Sequence, residues 1–115
     1  MIKSLAVFVL RIAVIGLFAI WSLTSQASTP TIEVVIENHL FYPADVVIPA
    51  FQKVRLLVTN RDATPEEFES YELNREKVIP GNSKAVIFIG PLAPGIYPFF
   101  GEFNPKTAQG RVRVE

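Results

Sequence analysis

The chain has 115 residues, of which 50% are hydrophobic and 19% are charged, and its 11 basic residues balance its 11 acidic ones. It contains no cysteine, which excludes disulfide frameworks, thiolate zinc sites, iron–sulfur clusters, cysteine nucleophiles and covalent haem attachment. The balanced charge also argues against a nucleic-acid partner, which a basic patch would normally bind. This composition predicts one small folded domain.

The first 27 residues differ in character from the rest of the chain. A short basic start is followed by an apolar stretch over 5–23, which Arg11 interrupts. Small residues stand one and three positions before the bond that follows Ala27, as in the cleavage site of a secretory signal peptide. We therefore predict a signal peptide over 1–27, with an uncleaved membrane anchor as the alternative, and a domain over 28–115.

The sequence of the domain predicts short β-strands separated by turns rich in proline and glycine. Along most of these runs apolar and polar residues alternate with the period of two that a half-buried strand requires. The predicted strands cover 32–37, 46–48, 53–59, 77–79, 85–89, 96–100 and 111–115. Seven or so strands at this spacing predict an all-β fold, either a sandwich or a barrel.

Three stretches of the sequence lead to more specific structural predictions. The run 85–89 is almost wholly apolar, which predicts a more buried strand. Pro98 cannot donate a ladder hydrogen bond, which predicts an edge position for its strand. The segment 64–73 is acidic and shows little alternation, so it predicts a loop or a short helix.

The acidic segment is the first candidate site, because five glutamates fall within the eleven residues 66–76. Crowded carboxylates repel one another and raise each other's pKa, and a bound cation relieves that repulsion. Oxygen ligands suit hard metal ions. If this segment is extended, Glu67 and Glu69 point to one face and Phe68 points into the core. The alternative is a solvated acidic loop that neighbouring basic residues partly neutralise.

The aromatic segment 95–105 is the second candidate site. Its four aromatic residues surround Glu102 and Asn104, which are both possible oxygen donors. The alternative is a core strand followed by a turn. His39 is the single histidine, and it is expected to be a surface or hydrogen-bonded residue rather than a metal ligand. One histidine also supports nucleophilic hydrolysis poorly, so we predict no catalytic activity.

Several segments together resemble the layout of cupredoxins. They are a strand ending in Asn60, the acidic segment, Pro80-Gly81, the run Pro91–Tyr97 and a final Gly-x-Val-x-Val strand. Within that family, the segments 65–70, 75–77 and 97–103 look like the EfeO-type cupredoxin-like branch. That branch is associated with periplasmic ferrous-iron uptake alongside an iron permease. The resemblance covers residues 31–115.

The resemblance implies a Greek-key β-sandwich of about seven or eight strands that handles metal in the periplasm. A blue-copper centre needs two histidines, a cysteine thiolate and usually a methionine. The domain has one histidine and no sulfur, so a type 1 copper centre is excluded. In the EfeO-type branch glutamates are proposed to replace those ligands. The matching positions here are Glu67, Glu69, Glu76 and Glu102, while Asn104 stands where many relatives have histidine.

The predicted function is that of a periplasmic protein that binds an iron ion through carboxylates. It would assist ferrous-iron uptake or oxidation with a membrane permease, and Phe99, Phe100 and Phe103 would enclose the ion. One alternative is a structural or protein-interaction module that docks to a periplasmic transport partner through its acidic face. Another alternative is a copper-binding carrier, which only His39 supports. Membrane association would come through these partners or through an uncleaved leader.

Overall fold

The computed structural model describes residues 28–115, so the predicted signal peptide over 1–27 lies outside the described residues. Within 28–115 the chain forms nine strands. They are β1 (Thr31–Glu37), β2 (Leu40–Tyr42), β3 (Asp45–Ile48), β4 (Val54–Asn60), β5 (Glu66–Ser70), β6 (Arg75–Ile79), β7 (Ser83–Ile89), β8 (Gly95–Gly101) and β9 (Gln109–Val114). No helix in this part of the chain has the length and apolar character that a membrane crossing requires.

The strands form two sheets, one with the order β2-β1-β4-β7 and the other with the order β3-β9-β8-β5-β6. Strand β1 runs parallel to β4, and β3 runs parallel to β9, whereas the other neighbouring strands are antiparallel. The chain passes repeatedly from one sheet to the other. The predicted all-β Greek-key sandwich is confirmed, with the three-residue strand β2 as an element that the alternation did not reveal.

The core lies between the sheets and consists of alternate residues of each strand. Its aromatic centre contains Phe68, Phe99 and Phe41, which are all buried. The rings of Phe68 and Phe99 stack with centroids 4.8 Å apart, and Phe41 meets Phe99 edge-on at 4.9 Å. Because side chains alternate across a strand, the inward position of Phe68 places Glu67 and Glu69 on the outer face of β5.

The prediction of a more buried strand over 85–89 is wrong. Val86 is 42% exposed and Phe88 is 41% exposed. Strand β7 is the last strand of its sheet, and only its inner face is covered by the other sheet. The cationic groups of Lys53 and Arg55 lie over the Phe88 ring, at 4.6 and 5.4 Å from its centroid. Long basic side chains thus cover part of the outward apolar surface.

The prediction of an edge position for Pro98 is also wrong, because β8 lies between β9 and β5. Strand β8 pairs with β5 only through Phe100 and Gly101. Beyond that pairing, the Pro98 carbonyl accepts a hydrogen bond from the Ser70 hydroxyl at 2.7 Å. The N and C=O of a strand residue point to the same side, so the missing N–H of Pro98 faces a gap where no ladder partner is needed.

The expected loop or short helix over 64–73 contains strand β5 instead. Its inward residues are Glu66, Phe68 and Ser70, all buried. Two of these three are polar, so the usual contrast between an apolar inner face and a polar outer face is lost from the sequence. Their burial is possible because both polar side chains are hydrogen-bonded inside the protein.

Candidate metal centre

Three of the four predicted ligands lie together on the outer face of the five-stranded sheet. Glu69 stands directly opposite Glu76 in the β5–β6 pair, and Glu67 is the next outward residue of β5. One carboxylate oxygen from each of the three lies within 4.8 Å of the others. A single cation with metal–oxygen distances of about 2.0–2.6 Å could contact all three at this separation. We call Glu67, Glu69 and Glu76 the glutamate triad.

The triad strongly perturbs the proton affinity of one of its members. The hydrogen bond from Glu76, the partial desolvation of the carboxyl, and the negative charges of Glu76 and Glu69 raise the pKa of Glu67 to about 7. The proton relieves the repulsion among the three carboxylates. A metal ion can do the same with more charge, so a cation could displace the proton that Glu67 partly retains at neutral pH.

The raised pKa of Glu67 predicts a pH-dependent stability. The folded chain binds this proton more tightly than an ordinary glutamate with a pKa of 4.5 does, so its ionisation weakens folding as pH rises from about 4.5 to 7. Glu67→Gln should therefore raise the free energy of unfolding above pH 7, with a gain that fades toward pH 4.5. Urea unfolding across this range measures the gain.

The charge-matched control for this prediction is Glu33→Gln, which lies on β1 in the other sheet. It should not reproduce the pH-dependent gain. A Glu67→Gln variant whose stability follows that of the parent at every pH would contradict the prediction.

Glu102, the fourth predicted ligand, is not a member of the triad. Its backbone N–H donates to the Glu67 carbonyl at 2.9 Å, while the residue itself is exposed. The structure therefore brings Glu67, Glu69 and Glu76 together and does not bring the Glu102 carboxylate to them. Metal ligation by any of the four stays a prediction.

A buried carboxylate that the sequence analysis did not single out lies behind the triad. Glu66 is 1% exposed. Its Oε1 accepts hydrogen bonds from the N–H groups of Glu67 and Phe103, both at 3.0 Å, and its Oε2 accepts one from Asn104 Nδ2 at 2.8 Å. Asn104 thus has a structural partner. The period of two along β5 was the available signal, because Glu66 shares the inward face of Phe68.

The Glu66 carboxylate fixes the loop that follows β8 and leaves little room beside it. A Cβ on Gly101 would lie 2.6 Å from the carboxyl carbon of Glu66 and 2.7 Å from the Cβ of Ala108. A glycine is needed there so that the loop can approach the buried acid. Hydrogen bonds from Phe103 and Asn104 to the Glu66 carboxylate therefore hold this loop in its conformation.

The predicted aromatic enclosure forms only in part. Phe99 belongs to the core, where it stacks on Phe68, so it does not line the triad. Phe100 is the neighbour of Glu69 on the adjacent strand, and its ring lies 5.6 Å from that of the exposed Tyr71. A depression of about 180 Å³ is lined by Glu69, Ser70, Tyr71, Asn74, Arg75 and Glu76, so of these two rings only that of Tyr71 borders it.

His39 lies in the turn between β1 and β2 and is not a member of the triad. Its backbone N–H and that of Asn38 donate to the Asp62 carboxylate, at 3.0 and 2.8 Å. These bonds, that of His39 above all, lower the pKa of Asp62 despite its partial burial. His39 Nδ1 is 3.5 Å from Asp62 Oδ2, so its contacts are those of a turn residue beside an acid.

Comparison with known proteins identifies relatives of the whole described domain. The family model for the cupredoxin-like domain matches residues 10–114. The chain is also 42% identical over 83 residues to a protein of Rickettsia prowazekii (strain Madrid E) that is named Uncharacterized protein RP394. The alignment covers 72% of this chain and 66% of that protein, slightly less than two thirds of the relative's length.

Two solved structures share the fold at low sequence identity. One is the metal binding domain of the Cu(I) exporting P-type ATPase CopA of Streptococcus pneumoniae D39, with 17% identity, a TM-score of 0.65 and coverage of 79% of this chain and 91% of that one. The other is auracyanin A, a blue copper protein from Chloroflexus aurantiacus, with 16% identity, a TM-score of 0.64 and coverage of 75% and 99%. At these identities the similarity shows the fold alone.

Proposed function

Because the chain belongs to the family of cupredoxin-like domains, we propose that it is a metal-binding protein of that fold that holds its cation with carboxylates. The two similar structures are a domain of a Cu(I) exporting ATPase and a blue copper protein, but this chain has no cysteine and one histidine, so it lacks the ligands of a type 1 centre. The observation that carries the proposal is the convergence of Glu67, Glu69 and Glu76 on one sheet face.

The cation that we propose is ferrous iron, as cargo rather than as a permanent cofactor. The triad offers oxygen donors alone, without the thiolate and imidazole ligands that favour copper. The protein would capture the ion after export to the periplasm and pass it to a membrane permease, as in the EfeO-type branch that the sequence resembles. Oxidation of the ion would require an external electron acceptor.

Reversible capture is supported by the position and the protonation of the triad. Glu67 and Glu69 are half-buried and Glu76 is exposed, so an ion could enter and leave without a large rearrangement. Since the pKa of Glu67 is about 7, binding near neutral pH would release a proton. Affinity should therefore weaken as the pH falls, which is a useful property in a carrier.

Calorimetric titration with ferrous ion under anaerobic conditions tests the proposal. We expect Glu67→Gln combined with Glu69→Gln to weaken binding at least about tenfold, because even groups outside the first shell of a metal are worth about 10–100-fold. An affinity equal to that of the parent would refute the assignment of the site.

Matched controls distinguish binding by the triad from a general effect of negative charge on the domain. Glu33→Gln combined with Glu37→Gln removes the same charge from the other sheet and should leave the affinity unchanged. Glu102→Gln should also stay close to the parent, because its carboxylate is outside the triad. For the copper alternative, titration of His39→Ala with cupric ion is decisive: binding equal to that of the parent removes its one support.

The interaction-module alternative is favoured by the Glu66–Asn104 hydrogen bond. Through this bond protein groups hold the loop after β8, and an amide stands at the position where many EfeO-type relatives have histidine. In that case the domain would associate with a periplasmic partner through its acidic face. Association that weakens with salt and is insensitive to chelators would support this function instead.

A further inference from the structure

Strand β7 is the last strand of its sheet, and one side of its backbone has no strand beside it. The Arg55 N–H donates to the Pro30 carbonyl at 2.9 Å, so the backbone of Arg55 points away from β7. Phe88 stands opposite Arg55, and in an antiparallel ladder its backbone must then point away from β4. The Phe88 carbonyl indeed accepts a hydrogen bond from outside the sheet, from Arg75 Nε at 2.8 Å.

Every second residue of β7 presents its N–H and C=O groups in this same direction. Lys84, Val86 and Phe88 therefore form the side of β7 that faces away from β4, which we call the free edge. Among the hydrogen bonds of the described domain, only that from Arg75 reaches these groups. The remaining N–H and C=O groups of the free edge are available to another strand.

The free edge lacks most of the features with which proteins prevent strand addition. Native edge strands are commonly very short, or contain proline, a bulge or several charges. Strand β7 has seven residues and no proline, and it pairs with β4 without interruption. Its residues 85–89 are all apolar, and Val86 and Phe88 are exposed on the outer face. Such a strand is a template for an added strand.

Four basic side chains lie along the free edge. Lys84 belongs to β7 itself. The cationic groups of Lys53 and Arg55 lie over the Phe88 ring, and Arg75 bonds to the Phe88 carbonyl. Within the described domain none of the four forms an ion pair closer than 4.0 Å. Strands β4 and β7 contain no acidic residue that could neutralise them.

The exposed acids on this side of the domain belong to other elements. Glu33 is on β1, which β4 separates from β7, and Glu72 is in the turn between β5 and β6. Glu115 follows β9 in the other sheet. An added strand would therefore meet basic groups toward both ends of the free edge, at Lys84 and at Arg75. This arrangement favours an acidic occupant over a second copy of β7, which would bring like charges together.

We propose that the free edge binds an extended acidic segment of another protein as a fifth strand of the four-stranded sheet. The backbone of that segment would exchange hydrogen bonds with Lys84, Val86 and Phe88. Its carboxylates would pair with Lys84 and with Arg75, which would leave the Phe88 carbonyl. This inference goes beyond metal binding and does not depend on it, because the glutamate triad lies on the other sheet.

Binding of a synthetic peptide to the full chain tests the proposal. The probe is a fluorescent peptide of the sequence Glu-Val-Glu-Val-Glu-Val-Glu, and the buffer contains a nonionic detergent and a chelator. We expect binding to raise the fluorescence polarisation of the probe. We also expect it to slow hydrogen exchange at the N–H groups of Lys84, Val86 and Phe88. An analogue with lysine in place of every glutamate should bind at least about tenfold more weakly.

One substitution removes backbone pairing at the free edge and leaves the ladder with β4 intact. The Val86 N–H points away from β4, so Val86→Pro deletes a donor where natural edge strands tolerate proline. The affinity for the probe should fall about tenfold, whereas Val86→Thr, which keeps the N–H, should stay within about twofold of the parent. Lys84→Glu should also weaken binding about tenfold. Lys106→Glu, an exposed residue in the loop after β8, is its charge-matched control.

Three results would overturn the proposal. The first is equal affinity of the parent and a folded Val86→Pro variant. If that variant does not fold, a probe with N-methylated amides replaces it, and binding as tight as that of the unmethylated probe has the same meaning. The second is equally tight binding of the lysine analogue. The third is a parent chain that self-associates through Val86 and does not bind the probe. Each leaves the metal titration unaffected, so this proposal and the proposed function fail independently.

Discussion

Phe68→Ala is expected to lower the free energy of unfolding by about 3–5 kcal/mol, the usual cost of removing a buried aromatic side chain. Phe68 is completely buried, stacks on Phe99 with centroids 4.8 Å apart, and meets Phe41 edge-on at 6.2 Å. Its removal leaves a cavity where the two sheets meet. Urea unfolding followed by circular dichroism measures the loss.

Phe51→Ala is the matched control for the Phe68 substitution. It removes the same side chain from a position that is 71% exposed. Its effect should stay within about 0.5 kcal/mol. Comparable losses in the two variants would mean that Phe68 is not part of a closely packed core.

Glu66→Ala is expected to cost about 2–4 kcal/mol, because it removes an acceptor from three donors at once. The N–H groups of Glu67 and Phe103 and the Asn104 amide would lose their partner. Unfolding in urea gives the magnitude. Hydrogen exchange gives the location, because exchange at the Phe103 N–H should accelerate as the loop after β8 loosens.

Two further variants sharpen the test of Glu66. Glu102→Ala removes an exposed carboxylate from the same loop and should have little effect. Glu66→Gln keeps the shape and one acceptor oxygen, so it should cost less than Glu66→Ala. If the exchange rate at Phe103 is unchanged in Glu66→Ala, the carboxylate does not hold the loop.

The candidate metal centre depends on the core through the same two residues. Phe68 and Glu66 point inward from β5, and this direction turns Glu67 and Glu69 outward. A slip of one residue in the register would reverse every side chain of the strand. The alignment of the glutamates is therefore stabilised by burial on the opposite side of the strand.

The sequence was sufficient to predict the features that depend on residues close together in the chain. Alternation over two residues, together with short apolar runs between turn residues, revealed seven of the nine strands in the described part. It also predicted that Glu67 and Glu69 would share one face if their segment were extended. The residue inventory excluded a type 1 copper centre by itself, because no folding can supply a missing cysteine. Strand β5 was not predicted because its inner face contains the polar residues Glu66 and Ser70. Strand β2 was not predicted because three residues are too few to show a period.

The tertiary structure decided everything that depends on which strands are neighbours. The β5–β6 register placed Glu76 opposite Glu69, whereas the path of the chain after β8 left the Glu102 carboxylate outside the triad. The order of the sheets made β7 an edge strand and β8 an internal one. Side-chain alternation is a local property of the backbone, but pairing is set by packing between distant segments. For that reason the sequence alone could predict oxygen ligands, and only the fold could bring three of them together.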